Sequence, residues 1–150
     1  MSPSSTDRQS LAEHAAKALY DPDRASQALG MRITAIAPLA CTVVMRVRAD
    51  MTNGHAICHG GIIFTLADSA FAFACNSEGE QTVAASCSID FLAAAREGDE
   101  LTASARELWR GGRSGIYEVT VTNQHGATIA LFRGRSHRIG NRPPKQQDSP

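Results

Sequence analysis

The sequence predicts an α+β domain in which one long helix packs against an antiparallel sheet. Residues 61–76 form a single apolar segment that is long enough for about four helical turns. Six segments of strand-like composition surround that helix, and short runs of turn residues join them. The chain has 150 residues, an ordinary size for one domain with its own core. Because strands joined by short turns pair as hairpins, the sheet is expected to be antiparallel.

The composition is that of a soluble globular protein without a strong overall charge. Hydrophobic residues make up 43% and charged residues 20%, and 15 basic residues balance 15 acidic ones. This balance gives no general attraction to nucleic acid or to an anionic membrane, so neither partner is expected. The longest uncharged run, residues 51–67, contains an asparagine and two histidines and is too polar to span a membrane. The four cysteines form no CxxC pair and no signal-peptide segment is evident, which predicts a cytoplasmic protein.

The N-terminal region is predicted to hold two short helices. Residues 1–9 are small and polar and are expected to be disordered, so the domain is expected to span residues 10–140. Residues 10–19 are helix formers. A second helix follows in DPDRASQALG, with Asp21 as N-cap, Pro22 at the first helical position and Gly30 as the stop. The polar tail, residues 141–150, contains prolines and is expected to be disordered.

The strands follow from alternation and from turn residues. In MRITAIAPLACTVVMRVRADM, β-branched residues alternate in part with polar ones, which predicts two strands with a turn near Pro38 to Ala40. MTNGHAICHGG is predicted to be a loop. After the long helix, four more strands are predicted at residues 81–92, 99–110, 114–123 and 127–139.

The long helix, residues 61–76, carries a single charge, Asp68, on an otherwise apolar surface. A helix that is apolar nearly all round is expected to be buried in a core or an interface, and its phenylalanines are expected to belong to the core. An ionised carboxylate that is buried without a partner is costly, so Asp68 is expected to have a raised pKa or to find donors. Two interpretations stay open: Asp68 lies with Thr65 and Ser69 on a solvent-facing stripe, or the stripe lines a cleft where a perturbed carboxylate is a base or nucleophile.

The Gly60-Gly61 pair opens the same helix. The first N–H groups of a helix have no partner within it and lie at the positive end of its dipole. These glycines either serve only to make the turn or let a carbonyl oxygen approach the backbone, where it is stabilised as it becomes an oxyanion.

Geometry separates the two features of this helix. Gly60 and Asp68 are eight residues apart, which corresponds to about 12 Å along a helix. One helix therefore does not bring both groups to the same carbonyl. Two helices that run antiparallel across a two-fold axis do so, each combining its Gly60 N–H with the other's Asp68. The sequence thus predicts a homodimer with two equivalent sites.

The loop before the helix contains His55, Cys58 and His59, which are residue types that occur in metal sites and in thiol active sites. Zinc needs three or four ligands and haem attachment needs CxxCH, whereas this loop has one cysteine and no second cluster accompanies it. Adjacent residues in an extended segment point in opposite directions, which makes Cys58 and His59 a poor nucleophilic pair. No cofactor is expected, and His59 is expected to orient the loop or the substrate.

Arginines cluster near the ends of the last strands, in GGRSG and FRGRSHR. They are Arg110, which directly precedes GGRSG, and Arg113, Arg133, Arg135 and Arg138, with His137 among them. The cluster either guards a solvated sheet edge or forms a small phosphate site, because a guanidinium bonds two phosphate oxygens at once.

At this point the chain strongly resembles a known family. NGHAICHGGIIFTLADSAFAFACNS is similar to the segment that identifies the PaaI-type hotdog-fold acyl-CoA thioesterases of phenylacetate degradation. ASCSIDFL, GDELTASA, GIYEVTV and IALFRGRSHRIG resemble the rest of that family, over about residues 14 to 140. The family's usual proline after FL is missing from FLAAAREGD, which is a change within a loop.

The resemblance implies a hotdog fold, one long central helix wrapped by a curved antiparallel sheet, in dimers that pair into a homotetramer. It implies hydrolysis of (hydroxy)phenylacetyl-CoA-type thioesters to free acid and CoA. The family's acid falls on Asp68 and its carbonyl-polarising amide on Gly60 of the partner subunit. Its substrate-binding positions fall on Asn53, His59, Gly61 and Thr65, and basic residues that bind CoA fall loosely on Arg110, Arg113, Arg133 and Arg135.

Two alternatives to a thioesterase are kept. A hotdog hydroxyacyl-CoA dehydratase would pair a histidine with a carboxylate, and His59 is available for that role. A non-catalytic acyl-CoA sensor would use the same pocket without turnover.

Overall fold

The computed structural model describes residues 1–140, so the predicted disorder of residues 141–150 lies outside the described residues. The described residues contain three helices, α1 Ser5–Tyr20, α2 Arg24–Ala28 and α3 Gly60–Cys75, with a 3-10 turn at Ala49–Met51. The strands are β1 Arg32–Ala37, β2 Ala40–Arg46, β3 Gln81–Phe91, β4 Glu100–Gly111, β5 Ser114–Thr122 and β6 Thr128–Gly140. Among residues 1–140, no helix has the length and apolar character needed to cross a bilayer.

The six strands form one antiparallel sheet in the order β1-β2-β4-β5-β6-β3, and α3 lies across its inner face. Alternate residues of β5, such as Tyr117, Val119 and Val121, point inward and are buried. Leu66, Ala67 and Ala70 of α3 are fully buried against this face. The predicted α+β architecture with one long helix on an antiparallel sheet is confirmed.

Aromatic rings fix the position of α3 on the sheet. The Phe71 ring centroid lies 5.4 Å from that of Tyr117 and 5.9 Å from that of Phe132. Phe64 packs edge-on against Phe132 at 5.3 Å. A Cβ at Gly134 would lie 2.8 Å from the Phe71 ring, so the helix approaches β6 as closely as a glycine permits. Phe71 and Phe73 are buried and Phe64 partly so, in agreement with the predicted core role.

Both N-terminal helices differ from the prediction. Helix α1 begins at Ser5, within the segment predicted to be disordered, because Ser4 and Asp7 form a capping box. The Asp7 N–H donates to Ser4 Oγ at 3.1 Å, and the Ser4 N–H donates to Asp7 Oδ2 at 3.2 Å. Helix α1 then continues to Tyr20, which makes Asp21 its C-cap and moves the N-cap of α2 to Asp23.

Candidate active site

The loop before α3 is held by its own hydrogen bonds. Asn53 Oδ1 accepts from the N–H of His55 at 2.9 Å and from that of Ile57 at 3.4 Å. Thr52 and Cys58 form an isolated bridge that closes the loop, and the Cys58 N–H donates to the carbonyl of Ala95 at 2.7 Å. These hydrogen bonds therefore fix the position of the next residue, His59, which precedes α3.

His59 is the N-cap of α3. Its Nδ1 accepts the Gly61 N–H at 2.9 Å, and its carbonyl accepts the N–H groups of Ile62 and Ile63. Within residues 1–140, the Gly60 N–H is left without an acceptor. One free backbone donor thus stands at the positive end of the α3 dipole, which is the arrangement needed to polarise a carbonyl.

The ring of Phe91 lies directly beside this donor. A Cβ on Gly60 would be 3.1 Å from Phe91 Cζ, so the ring fills the space that any other side chain would take. Phe91 ends β3 and is 52% exposed, which is unusual for a large apolar side chain. The sequence alone does not identify Phe91 as a site residue, because its contact with Gly60 depends on how α3 crosses the end of β3.

Asp68 lies on the third turn of α3 and is partly buried. Burial raises the pKa of its carboxyl above the ordinary value. None of the ion pairs among residues 1–140 includes it. Its polar neighbours are engaged elsewhere, since Thr65 Oγ1 donates to the Gly61 carbonyl at 2.8 Å and Ser69 Oγ bonds Ser26 Oγ at 2.9 Å. The carboxylate is therefore partly desolvated and available, as a general base or nucleophile must be.

The two groups lie on one helix, about 12 Å apart by the helical rise, as the sequence predicted. The helix accordingly presents a free backbone donor at its first residue and a carboxylate about two turns later. A single chain does not bring Gly60 and Asp68 to one carbonyl group.

The cysteines near the site are poor nucleophiles. Burial, followed by the charge of Asp99, raises the pKa of the Cys58 thiol to about 11. Burial, with a contribution from the charge of Asp68, raises the pKa of Cys87. Among residues 1–140, no group of three or more His, Cys, Asp or Glu converges on a point where a metal ion would bind.

The four arginines predicted near a phosphate site differ in their surroundings. Arg110 bonds Glu78 at 2.9 Å and Glu107 at 3.1 Å, which ties the turn that follows α3 to β4. Arg113 is exposed in the turn between β4 and β5. Arg133 and Arg135 are exposed on one face of β6, where Arg133 pairs in register with Glu118 and Arg135 with Ile116. Arg110 is thus engaged by acidic residues, whereas the other three have exposed side chains.

Comparisons with known proteins agree with this architecture. A family model described as "Thioesterase superfamily" matches residues 55–130, about half of the chain. The chain is 49% identical over 125 residues to the acyl-coenzyme A thioesterase PaaI of Escherichia coli strain K12, covering 83% of this chain and 89% of that protein.

Solved structures give the same result. The structure of the E. coli PaaI protein matches with a TM-score of 0.87 and 47% identity, over 88% of this chain and 96% of that one. The structure of smu.793 from Streptococcus mutans, which is bound to acetyl CoA, matches with a TM-score of 0.72 and 28% identity over 75% and 90% of the two chains. Helix, sheet, sequence identity and structural match together show that this chain belongs to the PaaI-type hotdog acyl-CoA thioesterases of the thioesterase superfamily, and that it is an acyl-CoA thioester hydrolase.

Proposed function

We propose that this chain hydrolyses (hydroxy)phenylacetyl-CoA-type thioesters to the free acid and CoA. Asp68 acts as general base or nucleophile, and the Gly60 N–H of the partner subunit polarises the thioester carbonyl. The proposal is carried by one observation: α3 offers a free N–H at Gly60 and an unpaired, partly desolvated carboxylate at Asp68.

The reaction needs only these two groups and water. In the general-base route, Asp68 takes a proton from a water molecule whose oxygen attacks the carbonyl carbon, and the C–S bond then breaks as CoA leaves as thiolate. In the nucleophilic route, the carboxylate attacks first and releases CoA, and water hydrolyses the resulting anhydride. In both routes the negative charge that develops on the carbonyl oxygen is stabilised by the Gly60 N–H.

The remaining predicted binding residues have defined parts in this proposal. Asn53 Oδ1, His59 Nδ1, the Gly61 N–H and Thr65 Oγ1 are used inside the loop and the helix. The Asn53 side-chain amide nitrogen and His59 Nε2 are the atoms left to reach the substrate. Phe91 supplies an apolar surface beside the carbonyl, which suits an aromatic acyl group. The E. coli PaaI protein of similar structure comes from the phenylacetic acid degradation operon, which supports the same substrate class.

Two surfaces support assembly into a dimer of dimers. Within residues 1–140, β3 is an edge strand of the sheet, and its apolar side chains at Val83 and Phe91 are exposed. Pairing of two β3 edges would give the dimer in which the sites are completed. On β4, Leu108 and Trp109 are also exposed, which suits a second apolar interface and hence a tetramer.

CoA binding is proposed for the exposed arginines, Arg113, Arg133 and Arg135, with Arg110 in a supporting position because its guanidinium is engaged. All four cysteines are free thiols, which supports a reducing, cytoplasmic location.

The test is steady-state hydrolysis of phenylacetyl-CoA, its hydroxylated forms and aliphatic acyl-CoAs by the wild type and by Asp68→Asn. Asp21→Asn is the matched control, since Asp21 is an exposed carboxylate that pairs with Lys17 and is not one of the proposed site residues. We expect the largest kcat/KM for the aromatic thioesters and a loss of at least about 10² for Asp68→Asn alone. An Asp68→Asn variant with unchanged kcat would refute the role of Asp68. Loss of water from a hydroxyacyl-CoA without thioester cleavage would identify a dehydratase.

A further inference from the structure

The loop before α3 contains a residue in an unfavourable backbone conformation. Ala56 has a φ of 59°, in the left-handed region where a Cβ crowds the following carbonyl oxygen. Among residues 1–140, Leu39 is the one other non-glycine residue with a positive φ. Gly54 stands two positions before Ala56, yet its φ is not positive, and a Cβ on it would have no atom within 4 Å. The loop thus places alanine where the backbone favours glycine, and such outliers persist only where the surrounding structure requires them.

A second turn of the chain repeats this structure with a glycine in place of the alanine. The site turn is defined as residues 53–57 and the β5–β6 turn as residues 123–127; with the residue before each, they begin TNGHA and TNQHG. In both turns the asparagine N–H donates to the carbonyl of the fifth residue, at 2.8 and 3.0 Å, and the asparagine carbonyl accepts the N–H of the fourth residue at 3.0 Å. The asparagine Oδ1 accepts the histidine N–H, at 2.9 and 3.0 Å. The fourth residue of the β5–β6 turn is Gly126, with a φ of 78°.

The site turn sets the register of a short ladder that leads to α3. Beyond the turn, the His59 N–H donates to the Met51 carbonyl at 2.8 Å. His59 is also the N-cap that leaves the Gly60 N–H as the free donor of α3. A different φ at Ala56 would redirect the chain after it, and would therefore move both His59 and the Gly60 N–H.

Both sides of this ladder are anchored to the rest of the protein. Met51 and Cys58 are buried, with 2% and 3% of their surfaces exposed. The Cys58 N–H donates to the carbonyl of Ala95, which is itself buried, at 2.7 Å. The chain therefore has to reverse its direction between two fixed residues, and the left-handed conformation of Ala56 is part of that reversal.

We propose that Ala56 is a positioning residue for thioester hydrolysis, because its left-handed backbone closes the site turn and so sets the position of the Gly60 N–H. This role depends on the proposed function, in which the Gly60 N–H polarises the thioester carbonyl. The requirement is on the backbone conformation of residue 56 and not on its methyl group. A misplacement of a catalytic group by about 1 Å is enough to cost about 10² in rate.

The first test compares two substitutions of similar size, Ala56→Asn and Ala56→Val, in the hydrolysis of phenylacetyl-CoA. Asparagine tolerates the left-handed region, whereas a β-branched residue does not. Ala56→Val is expected to lower kcat by about 10² with a much smaller change in KM, since the Gly60 N–H acts mainly in the transition state. Ala56→Asn is expected to keep kcat within a few-fold of the wild type. Gly126→Val is the matched control, because it places the same side chain in the β5–β6 turn, which joins two strands and not α3. It should lower the Tm and leave kcat nearly unchanged.

A second measurement does not need Ala56→Val to fold. Ala56→Gly removes the Cβ from a left-handed position and is expected to raise the Tm by about 2–4 °C while retaining activity. Gly126→Ala makes the reverse change in the β5–β6 turn and is expected to lower the Tm by a similar amount, without loss of kcat. A Tm of Ala56→Gly that does not rise would show that the conformation of residue 56 is not unfavourable for alanine, and it overturns the proposal.

The remaining outcomes separate this proposal from the proposed function. A folded Ala56→Val variant that keeps its kcat overturns the positioning role, as does an equal loss of kcat in Gly126→Val. An Ala56→Asn variant as inactive as Ala56→Val would show that size and not conformation matters, which also overturns it. Gly60→Pro is measured in the same assay. If Gly60→Pro keeps its kcat, the carbonyl-polarising role of Gly60 in the proposed function fails; if it loses kcat while Ala56→Val remains active, only the role of Ala56 fails.

Discussion

The Nδ1 atom of His59 accepts the N–H of Gly61 at 2.9 Å, and this contact leaves the preceding amide, that of Gly60, as the free donor at the start of α3. The imidazole therefore carries no proton on Nδ1 in this arrangement, and it fixes both the helix start and the direction of the free N–H. The histidine of the loop acts on the candidate site through the helix it caps.

Removing this cap should weaken the helix start. His59→Ala is expected to lower the free energy of unfolding by about 0.5–2 kcal/mol, the usual cost of losing an N-cap side chain. His59→Asn is the matched variant, since asparagine caps helices well and should keep most of the stability. The measurement is chemical denaturation together with kcat. Equal stability of His59→Ala and the wild type would show that the cap contributes nothing.

Proline can remove the Gly60 N–H while leaving the helix intact. Gly60 is the first residue of α3, a position where proline is tolerated, and His59 has the extended backbone that a residue before proline prefers. Gly60→Pro is expected to lower kcat by about 10²–10³, the usual effect of losing an oxyanion donor.

The control for this variant is Gly60→Ala, which adds a Cβ against Phe91 but keeps the N–H. It should be clearly more active than Gly60→Pro, with circular dichroism showing that both keep α3. Equal activities of the two variants would mean that the Phe91 contact, and not the N–H, controls the rate.

The sequence predicted the regular part of the fold closely. Helix α3 and the last four strands lie within one residue of their predicted bounds, because alternation and glycine-containing turns mark them locally. The start of α1 was wrong because the Ser4–Asp7 capping box was overlooked in a polar segment. The contact of Phe91 with Gly60 and the ion pair of Arg110 with Glu78 could not be predicted from the sequence, since each joins residues that are distant in the chain. The homodimer stays a prediction.

Replacing Asp68 should reduce activity and stabilise the fold. Burial raises the folded-state pKa of Asp68 above its unfolded value of about 3.9, so the charged form is disfavoured in the native state. This penalty is present when the pH is above the folded pKa, and it is absent below the unfolded pKa, where both states are protonated. Asp68→Asn is therefore expected to have a higher Tm than the wild type at pH 7, and the difference should vanish near pH 3.

Thermal unfolding of both proteins from pH 3 to pH 8 measures this difference. Asp21→Asn is again the control, because Asp21 is an exposed residue outside the site. A lower Tm of Asp68→Asn at pH 7 would show that the carboxylate is stabilised by a partner in the native protein. In the wild type, the acid limb of the kcat/KM profile should lie at a higher pH than that of an ordinary aspartate.

The arginines should separate into binding and structural groups. Arg133→Ala and Arg135→Ala are each expected to raise KM for acyl-CoA up to about tenfold, the equivalent of one charged hydrogen bond to phosphate. They should leave KM unchanged for an acyl-pantetheine thioester, which lacks the nucleotide. Arg110→Ala is expected to lower stability, since Glu78 and Glu107 lose their partner. Arg32→Ala, at an exposed position in β1, is the control. A KM that rises equally for both substrates would remove these arginines from phosphate binding.

Phe91 should set the preference for the acyl group. Its ring lies against Gly60, so an acyl group whose carbonyl binds the Gly60 N–H is in contact with it. Phe91→Ala is expected to lower kcat/KM for phenylacetyl-CoA by about 10–100-fold and to change it much less for acetyl-CoA, because a small acyl group loses little apolar contact. Leu92→Ala is the control, since Leu92 is the adjacent exposed apolar residue, whereas the three atoms nearest to a Cβ on Gly60 all belong to Phe91. Phe91→Leu should restore part of the preference by refilling the space. Equal losses for both substrates would mean that Phe91 only supports the fold or the subunit contact, and that the acyl group is selected elsewhere.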